Sequence, residues 1–401
     1  MYDIRKISGD LLYIGCSDRR LSLFESAYPV PNGISYNSYL LLDDKTVLFD
    51  TVDKVCSVQF FENLKAGLNG HNLDYIFIHH MEPDHCAMLE DVVRMYPEVK
   101  LVCSIKTVGL IKQFFNFDID SKVITVKEGD TLNTGKHEFT FFMAPMVHWP
   151  EVMVSYDKTE KALFSADAFG SFGSINGNLF DSDINFEKDY LDEARRYYTN
   201  IVGKYGAQVQ MLLKKASALD IKSIYPLHGL IIKDNIKLFT EKYDKWSKYE
   251  PEENSVLIAY TSVYGGTENT VNILAGKLAD KGIKNIKMYD VSQTHSSYVL
   301  SDAFKYSHIV FATTTYNNGI FETMEHLLHN ISAHNLQNRK LVLIQNGSWA
   351  PTCGNAMKII LEPLKGTEII DETICIKSAL KEEQLSELDA VAEKLVSSIN
   401  I

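Results

Sequence analysis

His79-His80-Met81-Glu82-Pro83-Asp84-His85 follows the apolar run Tyr75-Ile76-Phe77-Ile78. The apolar run reads as a buried strand; Pro83 and the lack of apolar periodicity read as a loop at its end, not a helix. Three histidines and two carboxylates crowd these seven positions. A His-His pair alone is usually surface or satisfied core. The full His80-x-Glu82-x-Asp84-His85 pattern is more specific, because burying such a set unpaired is costly and a metal ion is the usual compensation. A short rigid loop on a strand end can converge its side chains on one point, as a metal site requires.

The chain has 401 residues, 45% of them hydrophobic, and a formal net charge of −12. That length predicts two or three domains with ample cores. The acidic balance argues against nucleic acid or an anionic membrane as the main partner. Met1-Tyr2-Asp3-Ile4-Arg5 lacks an apolar signal core and no run of eighteen apolar residues occurs, so a soluble, cytoplasmic protein is expected. Cys16, Cys56, Cys86, Cys103, Cys353 and Cys375 are scattered without a Cys-x-x-Cys pair. They predict reduced, mostly buried thiols and exclude a built-in rubredoxin-like or zinc-ribbon module. Cys86, beside the loop, is expected to pack rather than ligate.

Working outward, residues 11–16, 35–42 and 46–50 read as short strands, with a hairpin turn at Asp43-Asp44-Lys45. Ser57–Leu68 has helical spacing, with Val58, Phe61, Leu64 and Leu68 on one face and Gly70 past its end. Helices are expected near 87–95 and 108–115, and a long tyrosine-rich helical stretch near 186–216. Further strands are expected at 100–103, 122–126, 138–143, 152–156, 162–165 and 222–225. Three of these end in metal-ligand chemistry: His148 in Val147-His148-Trp149-Pro150, Asp167, and His228 in Pro226-Leu227-His228-Gly229. One strand-end histidine is unremarkable. Four strand ends, far apart in sequence and each delivering His, Asp or Glu, are best explained by a shared site at one edge of a β-sandwich.

This pattern resembles the metallo-β-lactamase fold, two mixed sheets flanked by helices. In zinc hydrolases of that superfamily the first loop reads His-x-His-x-Asp-His; here Glu82 stands in place of the second histidine. An added carboxylate makes the site harder and more anionic, which suits iron better than a zinc hydrolase. The resemblance is specifically to the flavodiiron proteins, or A-type flavoproteins. It implies that His80, Glu82 and His148 hold one iron, that Asp84, His85 and His228 hold the other, and that Asp167 bridges both. These seven are then the catalytic set. His79 lies outside the pattern and is read as structural or as a support for the ligands.

Pro251-Glu252-Glu253-Asn254 is a polar break, which places the expected domains at 1–250 and 255–401. The run 255–260 is a fully buried type of strand. It leads into Thr261-Ser262-Val263-Tyr264-Gly265-Gly266-Thr267-Glu268-Asn269-Thr270 and an amphipathic helix to about 281. Strand, hydroxyl-rich glycine loop and helix form a phosphate cradle that works through hydroxyls and backbone N–H groups without Lys or Arg. The Walker lysine and Gly-x-Gly-x-x-Gly are both missing, so neither ATP nor a dinucleotide is the natural ligand. Strands at 287–290, 308–312, 340–345 and 373–376, with a closing helix near 381–398, complete a five-strand doubly wound unit. Such sheets bind ligands at the carboxyl ends of their strands.

Two more loops lie there, Thr313-Thr314-Thr315-Tyr316-Asn317-Asn318-Gly319 and Asn346-Gly347-Ser348-Trp349-Ala350-Pro351-Thr352-Cys353-Gly354. Together the three loops resemble flavodoxin, which implies FMN. Its phosphate would lie on Thr261, Ser262, Val263, Tyr264, Gly265, Thr267, Glu268 and Asn269. Tyr316 and Trp349 would flank the isoalloxazine ring, beside Thr315, Asn317, Asn318, Gly319, Gly347, Ser348, Ala350 and Gly354. Trp349-Ala350-Pro351 departs from the glycine-richer loop of other members.

The resemblance covers essentially the whole chain. It implies an α/β protein with an N-terminal metallo-β-lactamase-like αββα sandwich and a C-terminal flavodoxin-like parallel sheet. The implied reaction is reduction of O2 to water, of NO to N2O, or both, with one electron from each iron and two from reduced FMN. Family members place the flavin of one subunit beside the diiron centre of the other, so a head-to-tail homodimer, or a dimer of dimers, is expected. With no rubredoxin module before Ile401, an external donor such as rubredoxin is expected too. Trp149, Tyr197 and Tyr198 are pocket candidates that read better as packing. Two other classes stand beside this one. Glu82 argues against a zinc hydrolase fused to a flavodoxin, and seven convergent polar residues argue against a non-catalytic electron carrier or gas sensor.

Overall fold

The computed structural model describes residues 1–399 apart from Thr373. The chain forms two compact units, one of Met1–Tyr198 with Ala207–Asp244, the other of Thr199–Gly206 with the chain from Lys245 onward. Among the described residues no helix is long and apolar enough to cross a membrane.

The first unit is a sandwich of two mixed sheets. One sheet runs in the order Arg5–Lys6, Leu11–Tyr13, Tyr39–Leu41, Val47–Phe49, Tyr75–Phe77, Lys100–Ser104, Val123–Val126. Its early strands pair antiparallel; from Val47–Phe49 onward the pairing is parallel. The other sheet runs Thr131–Asn133, Glu138–Met143, Met153–Asp157, Ala162–Phe164, Ser223–Tyr225, antiparallel until its last, parallel pair. Alternating apolar residues of both sheets meet in one core, in which Phe49 stacks on Phe164 with ring centroids 3.9 Å apart. Stacked aromatics of this size dominate the burial energy of such a core.

Local departures from the sequence reading have physical causes. The helix Ser57–Leu68 forms, but it buries Phe60, Asn63, Leu64, Gly67 and Leu68 and leaves Val58 74% exposed. Its face is turned by Asn63, whose amide donates to the Ile14 carbonyl (3.0 Å), and by Gly67, where an added Cβ would lie 2.9 Å from Leu40 Cδ2. The ligand loop, expected to be free of helix, contains the helical turn Pro83–Cys86 with Pro83 at its first position, where a missing N–H costs nothing. The long helix expected near 186–216 is broken into Phe186–Asp189, Leu191–Tyr197, a π-turn Tyr198–Val202, a 3-10 turn Gly203–Tyr205 and Gly206–Ala216. The break coincides with the segment that joins the second unit, where Asn200 donates to the Ser297 carbonyl (3.1 Å) and Tyr249 donates to the Gly203 carbonyl (3.0 Å).

The cysteines need a correction as well. Cys16 and Cys56 are joined by a disulfide that closes 40 residues of chain. Their Cα atoms lie 6.4 Å apart, a proximity that spacing in the sequence does not reveal. Cys86, Cys103, Cys353 and Cys375 are free thiols, the first three buried.

The second unit is a parallel sheet in the order Lys287–Asp290, Glu253–Tyr260, Tyr306–Tyr316, Lys340–Asn346, Glu368–Asp371. In chain order that is 2-1-3-4-5, the flavodoxin-like winding. Helices Gly266–Asp280 and Leu385–Ile399 pack Leu274, Leu278, Leu388 and Leu395 onto Val256, Ile258, Val310 and Val342. Cys375–Ile376 pairs with Lys340–Asn346 inside the strand expected at 373–376, whose first residue, Thr373, lies outside the described residues.

Candidate metal centre and cofactor loops

The ligand loop is fastened to the sheet before any ligand is placed. Asp50, at a left-handed φ of +51°, accepts the His79 N–H (2.7 Å), and its second oxygen lies 2.5 Å from His79 Nδ1. His79 Nε2 is 2.8 Å from Ser155 Oγ. Both ring nitrogens are thus used inside the sandwich, and His79 is structural. Thr51 donates its N–H and its hydroxyl to the His85 carbonyl, each at 2.8 Å.

Four strand ends then bring seven side chains into two adjoining clusters. In one, His80 Nε2 lies 3.2 Å from both Glu82 Oε2 and Asp167 Oδ2. His148 Nε2 lies 2.9 Å from Glu82 Oε2 and 3.2 Å from Asp167 Oδ2. In the other, His85 Nε2 lies 3.2 Å from Asp84 Oδ2 and 3.3 Å from Asp167 Oδ1. His228 Nε2 lies 3.2 Å from Asp84 Oδ2, 3.7 Å from Asp167 Oδ1 and 3.0 Å from His85 Nε2. Asp167 therefore turns one oxygen to each cluster. Ala166, just before it, has φ +52°, a conformation costing about 1–2 kcal/mol outside glycine. The fold spends strain at the point that aims this carboxylate.

Outer contacts set the tautomers. Glu151 Oε1 lies 2.8 Å from His80 Nδ1 and accepts the Met81 N–H at 2.9 Å. The Ser35 carbonyl lies 2.6 Å from His228 Nδ1. With Nδ1 as the donor in both rings, each Nε2 presents a lone pair to the clusters. Meanwhile both oxygens of Asp84 and both of Asp167 are buried without a hydrogen-bond donor. Buried orphan acceptors facing imidazole lone pairs are the arrangement a cation satisfies, and a mixed imidazole–carboxylate donor set suits iron.

Charge follows from the same geometry. A proton competes with a cation for the same Nε2 lone pair: burial opposes it on His80, but Asp167, Glu151 and Glu82 outweigh burial and hold the ring well above the ordinary histidine range. His85 is raised likewise by Asp84 and Asp167, and His148 up to about 9 by Asp167 and Glu82, both against burial. Glu82 and Asp167 are in turn held well below the carboxylate range by these histidines despite burial. Cys86 donates to the Met81 carbonyl (3.2 Å) and burial pushes its thiol up, so it packs and does not ligate.

Aromatic rings wall the clusters. Trp149 packs against His80 (centroids 5.2 Å apart), and Tyr197 and Phe24 pack against His228 (5.5 and 5.4 Å). Tyr198 instead packs on Tyr243. A cavity of about 380 Å³, bordered by Phe24, Glu25, Tyr36, Asp53, Glu82 and Asp84, opens onto the clusters. Sequence reasoning missed Glu151, Ser35, Asp50 and Thr51. Only Glu151 carried a signal, being a carboxylate three residues after His148.

In the second unit the three loops converge at the strand ends. Thr261 and Thr313 share a hydroxyl contact of 2.7 Å, Thr267 and Thr314 one of 3.2 Å. Asn346 donates to Thr267 Oγ1 (3.1 Å) and accepts the Ser378 N–H (3.0 Å). Ser378, in a fourth loop that the sequence reading did not single out, also donates to Ser348 Oγ (2.9 Å). Thr315 Oγ1 accepts the N–H groups of Thr352 and Cys353, and Thr352 donates to the Asn318 carbonyl, tying the second loop to the third. Gly265, at φ +85°, caps the helix Gly266–Asp280, and a Cβ on Gly266 would collide with the Ser378 carbonyl.

Two observations suit these loops to FMN. The buried Ser262 hydroxyl has no protein partner beside that helix N-terminus, where a phosphate is favoured. Tyr264 and Trp349 are 99% and 90% exposed, large rings with no protein cover at the edge of the same loops. Val263, Glu268, Asn269, Tyr316, Asn317, Gly319, Gly347, Ala350 and Gly354 lie on the same loops and the helix's first turn.

The family model described as ODP family β-lactamase matches residues 34–229. A nitric oxide reductase of Moorella thermoacetica is 28% identical over 90% of this chain and 90% of its own. Among solved structures, the rubredoxin oxygen:oxidoreductase of Desulfovibrio gigas superposes with a TM-score of 0.92 at 26% identity, over 99% of both chains. The flavodiiron protein of Giardia intestinalis shares the fold at a TM-score of 0.92 and 21% identity, over 99% of this chain and 98% of its own. With a metallo-β-lactamase-like sandwich followed by a flavodoxin-like sheet, this chain is similar to the flavodiiron proteins over its whole length and is an oxidoreductase.

Proposed function

We propose that the enzyme reduces a small gas, O2 to water, NO to N2O, or both, at a non-haem diiron centre, with electrons passed through FMN from an external donor such as a rubredoxin. One observation carries this reading: Asp167 offers one buried oxygen to each of two histidine–carboxylate clusters. In it His80, Glu82 and His148 hold one iron, Asp84, His85 and His228 the other, and Asp167 both. Two irons held there would supply two electrons and open positions for a gas, and FMN two electrons more.

The protein's own part can be derived from its contacts. Glu151 and Ser35 keep the His80 and His228 lone pairs on the clusters. Glu82, Asp84 and Asp167 supply the negative charge that a ferric pair needs. Trp149, Tyr197 and Phe24 give apolar walls that suit an apolar diatomic gas. In the second unit, Thr261, Ser262, Thr267 and the helix N-terminus would take the FMN phosphate, with Tyr316 and Trp349 on the ring. The names of the Moorella thermoacetica and Desulfovibrio gigas proteins support NO and O2 respectively, and the apolar walls favour neither gas.

The functional domains are 1–250 and 255–401, and the working enzyme is a head-to-tail homodimer, or a dimer of dimers, in the cytoplasm. The test is metal analysis with an absorption spectrum, followed by O2 and NO consumption under a reduced rubredoxin. About two irons and one FMN per chain with flavin-linked gas uptake is the expected result. Zinc with no flavin-linked uptake would put the hydrolase reading in its place.

A further inference from the structure

A second cavity, of about 660 Å³, opens in the first unit, and its wall contains both Cys16 and Cys56. Arg5, Arg19 and Arg20 line it against two carboxylates, Asp3 and Asp18. Arg5 is held by donating to the Gly177 carbonyl, and Arg19 by donating to the Ile175 carbonyl, each at 2.6 Å. Arg20 lies in solvent beside Asp18. An excess of guanidinium groups is notable on a chain of net charge −12, and the gas chemistry uses none of them.

We propose that Cys16–Cys56 is a thiol–disulfide exchange site, opened by a small anionic thiol that the arginines draw into this cavity. The thiolate attacks Sγ of Cys16, the less buried residue of the pair. The bond to Cys56 breaks, and Cys56 leaves with the electron pair and takes a proton from solvent. Cys56 ends the 3-10 turn Lys54–Cys56 and stands at the N-terminus of the helix Ser57–Leu68, whose dipole favours negative charge at that end. That position suits it as the leaving sulfur. A second thiolate then attacks the reductant's sulfur in the mixed disulfide, and Cys16 departs as a thiol. Two small thiols are oxidised to their disulfide and one protein disulfide is reduced to two thiols.

Opening the bond has a mechanical consequence, which rests on the reading of residues 79–85 as the metal loop. Cys56 ends the segment whose Asp50 and Thr51 fasten His79 and His85. Asp18 and Val55 border both this cavity and the mouth of the metal clusters. Freed from the strand Cys16–Asp18, the segment 50–56 loosens its hold on the ligand loop.

The experiment exposes the holoenzyme to reduced glutathione or to neutral 2-mercaptoethanol at equal thiolate concentration, with alkylation and mass spectrometry over time. The expected result is a mixed disulfide at Cys16, opening about tenfold faster with glutathione, and loss of that advantage in Arg20→Ala or at high salt. Equal rates with both thiols, attack at Cys56, or a disulfide that survives until the protein unfolds overturns the proposal. Amide hydrogen exchange at Thr51 and in residues 79–86 should rise several-fold on opening, and to the same level in Cys16→Ser/Cys56→Ser without any thiol; unchanged exchange overturns the mechanical consequence. Iron and FMN are quantified in the same samples. Their absence from the start would count against the gas-reductase reading alone, since the thiol chemistry is scored on sulfur.

Discussion

The metal clusters of the first unit and the cofactor loops of the second both lie at strand ends, yet they are built in opposite ways. The clusters are buried, draw on four distant strand ends, and have His80 and His228 backed by Glu151 and Ser35. The loops use backbone N–H groups and small hydroxyls and leave Tyr264 and Trp349 in solvent. Ligand size explains the contrast. A metal ion brings concentrated charge and no surface, so the protein must supply fixed donors and exclude water around them. A flavin brings a large flat surface of its own, so the protein needs an open edge and a phosphate anchor.

Asp167→Asn weakens both clusters at once, and its effect should be the greatest. Iron content and gas turnover should fall together by about 100-fold or more, since loss of an outer partner alone costs 10–100-fold. FMN absorbance should be unchanged, and surviving turnover would refute the diiron reading. Glu151→Gln tests whether the outer contact matters: iron affinity, measured by competition with a chelator, should fall about 10- to 100-fold, with FMN again unaffected. Ser262→Ala runs the comparison the other way. Losing one hydrogen bond to a charged phosphate, about 1.5 kcal/mol, should weaken FMN roughly tenfold by fluorescence titration while iron stays bound.

The smallest effect sharpens the contrast within one strand. His137 and His148 flank Glu138–Met143, but only His148 joins the clusters. His137 is closed off, with Nδ1 2.7 Å from Asp157 and Nε2 3.2 Å from Asp10. Burial opposes its charge, yet the two carboxylates hold its pKa up to about 9 from 6.5. A folded value above the unfolded one means the stabilisation is complete below about pH 6.5 and lost as pH rises through about 9. It should be on the order of 1 kcal/mol, seen as a urea midpoint lower at pH 10 than at pH 6, a difference that His137→Gln removes.

How much of this was legible in the sequence depended on how local the signal was. The ligand loop was readable because five of its side chains stand within seven residues, and a strand's apolar run announces where its end lies. The doubly wound class of the second unit followed from alternating buried strands and amphipathic helices, whereas its strand order and the edge strand Glu368–Asp371 did not. The supports were not readable. Glu151 lies 71 residues from His80, and Ser35 lies 193 from His228. Each partner looks ordinary in its own stretch until the sheets close. The same holds for Cys16 and Cys56, brought together by a strand and a turn that nothing nearby in sequence links, and for Ser378, which meets Asn346 only after the last strand is laid down. The break in the long helix had a partial signal, since Gly203 and Gly206 each cost about 1 kcal/mol in a helix interior; tertiary contacts decided where it fell.

Asp167 also sets a length. The spacing of its two carboxylate oxygens is fixed by covalent bonds, which do not stretch when sheets breathe or side chains repack. The two histidine clusters that face those oxygens therefore share one rigid gauge. An inherited substitution that displaced this residue would detune both halves in the same generation, so neither cluster is free to evolve apart from the other.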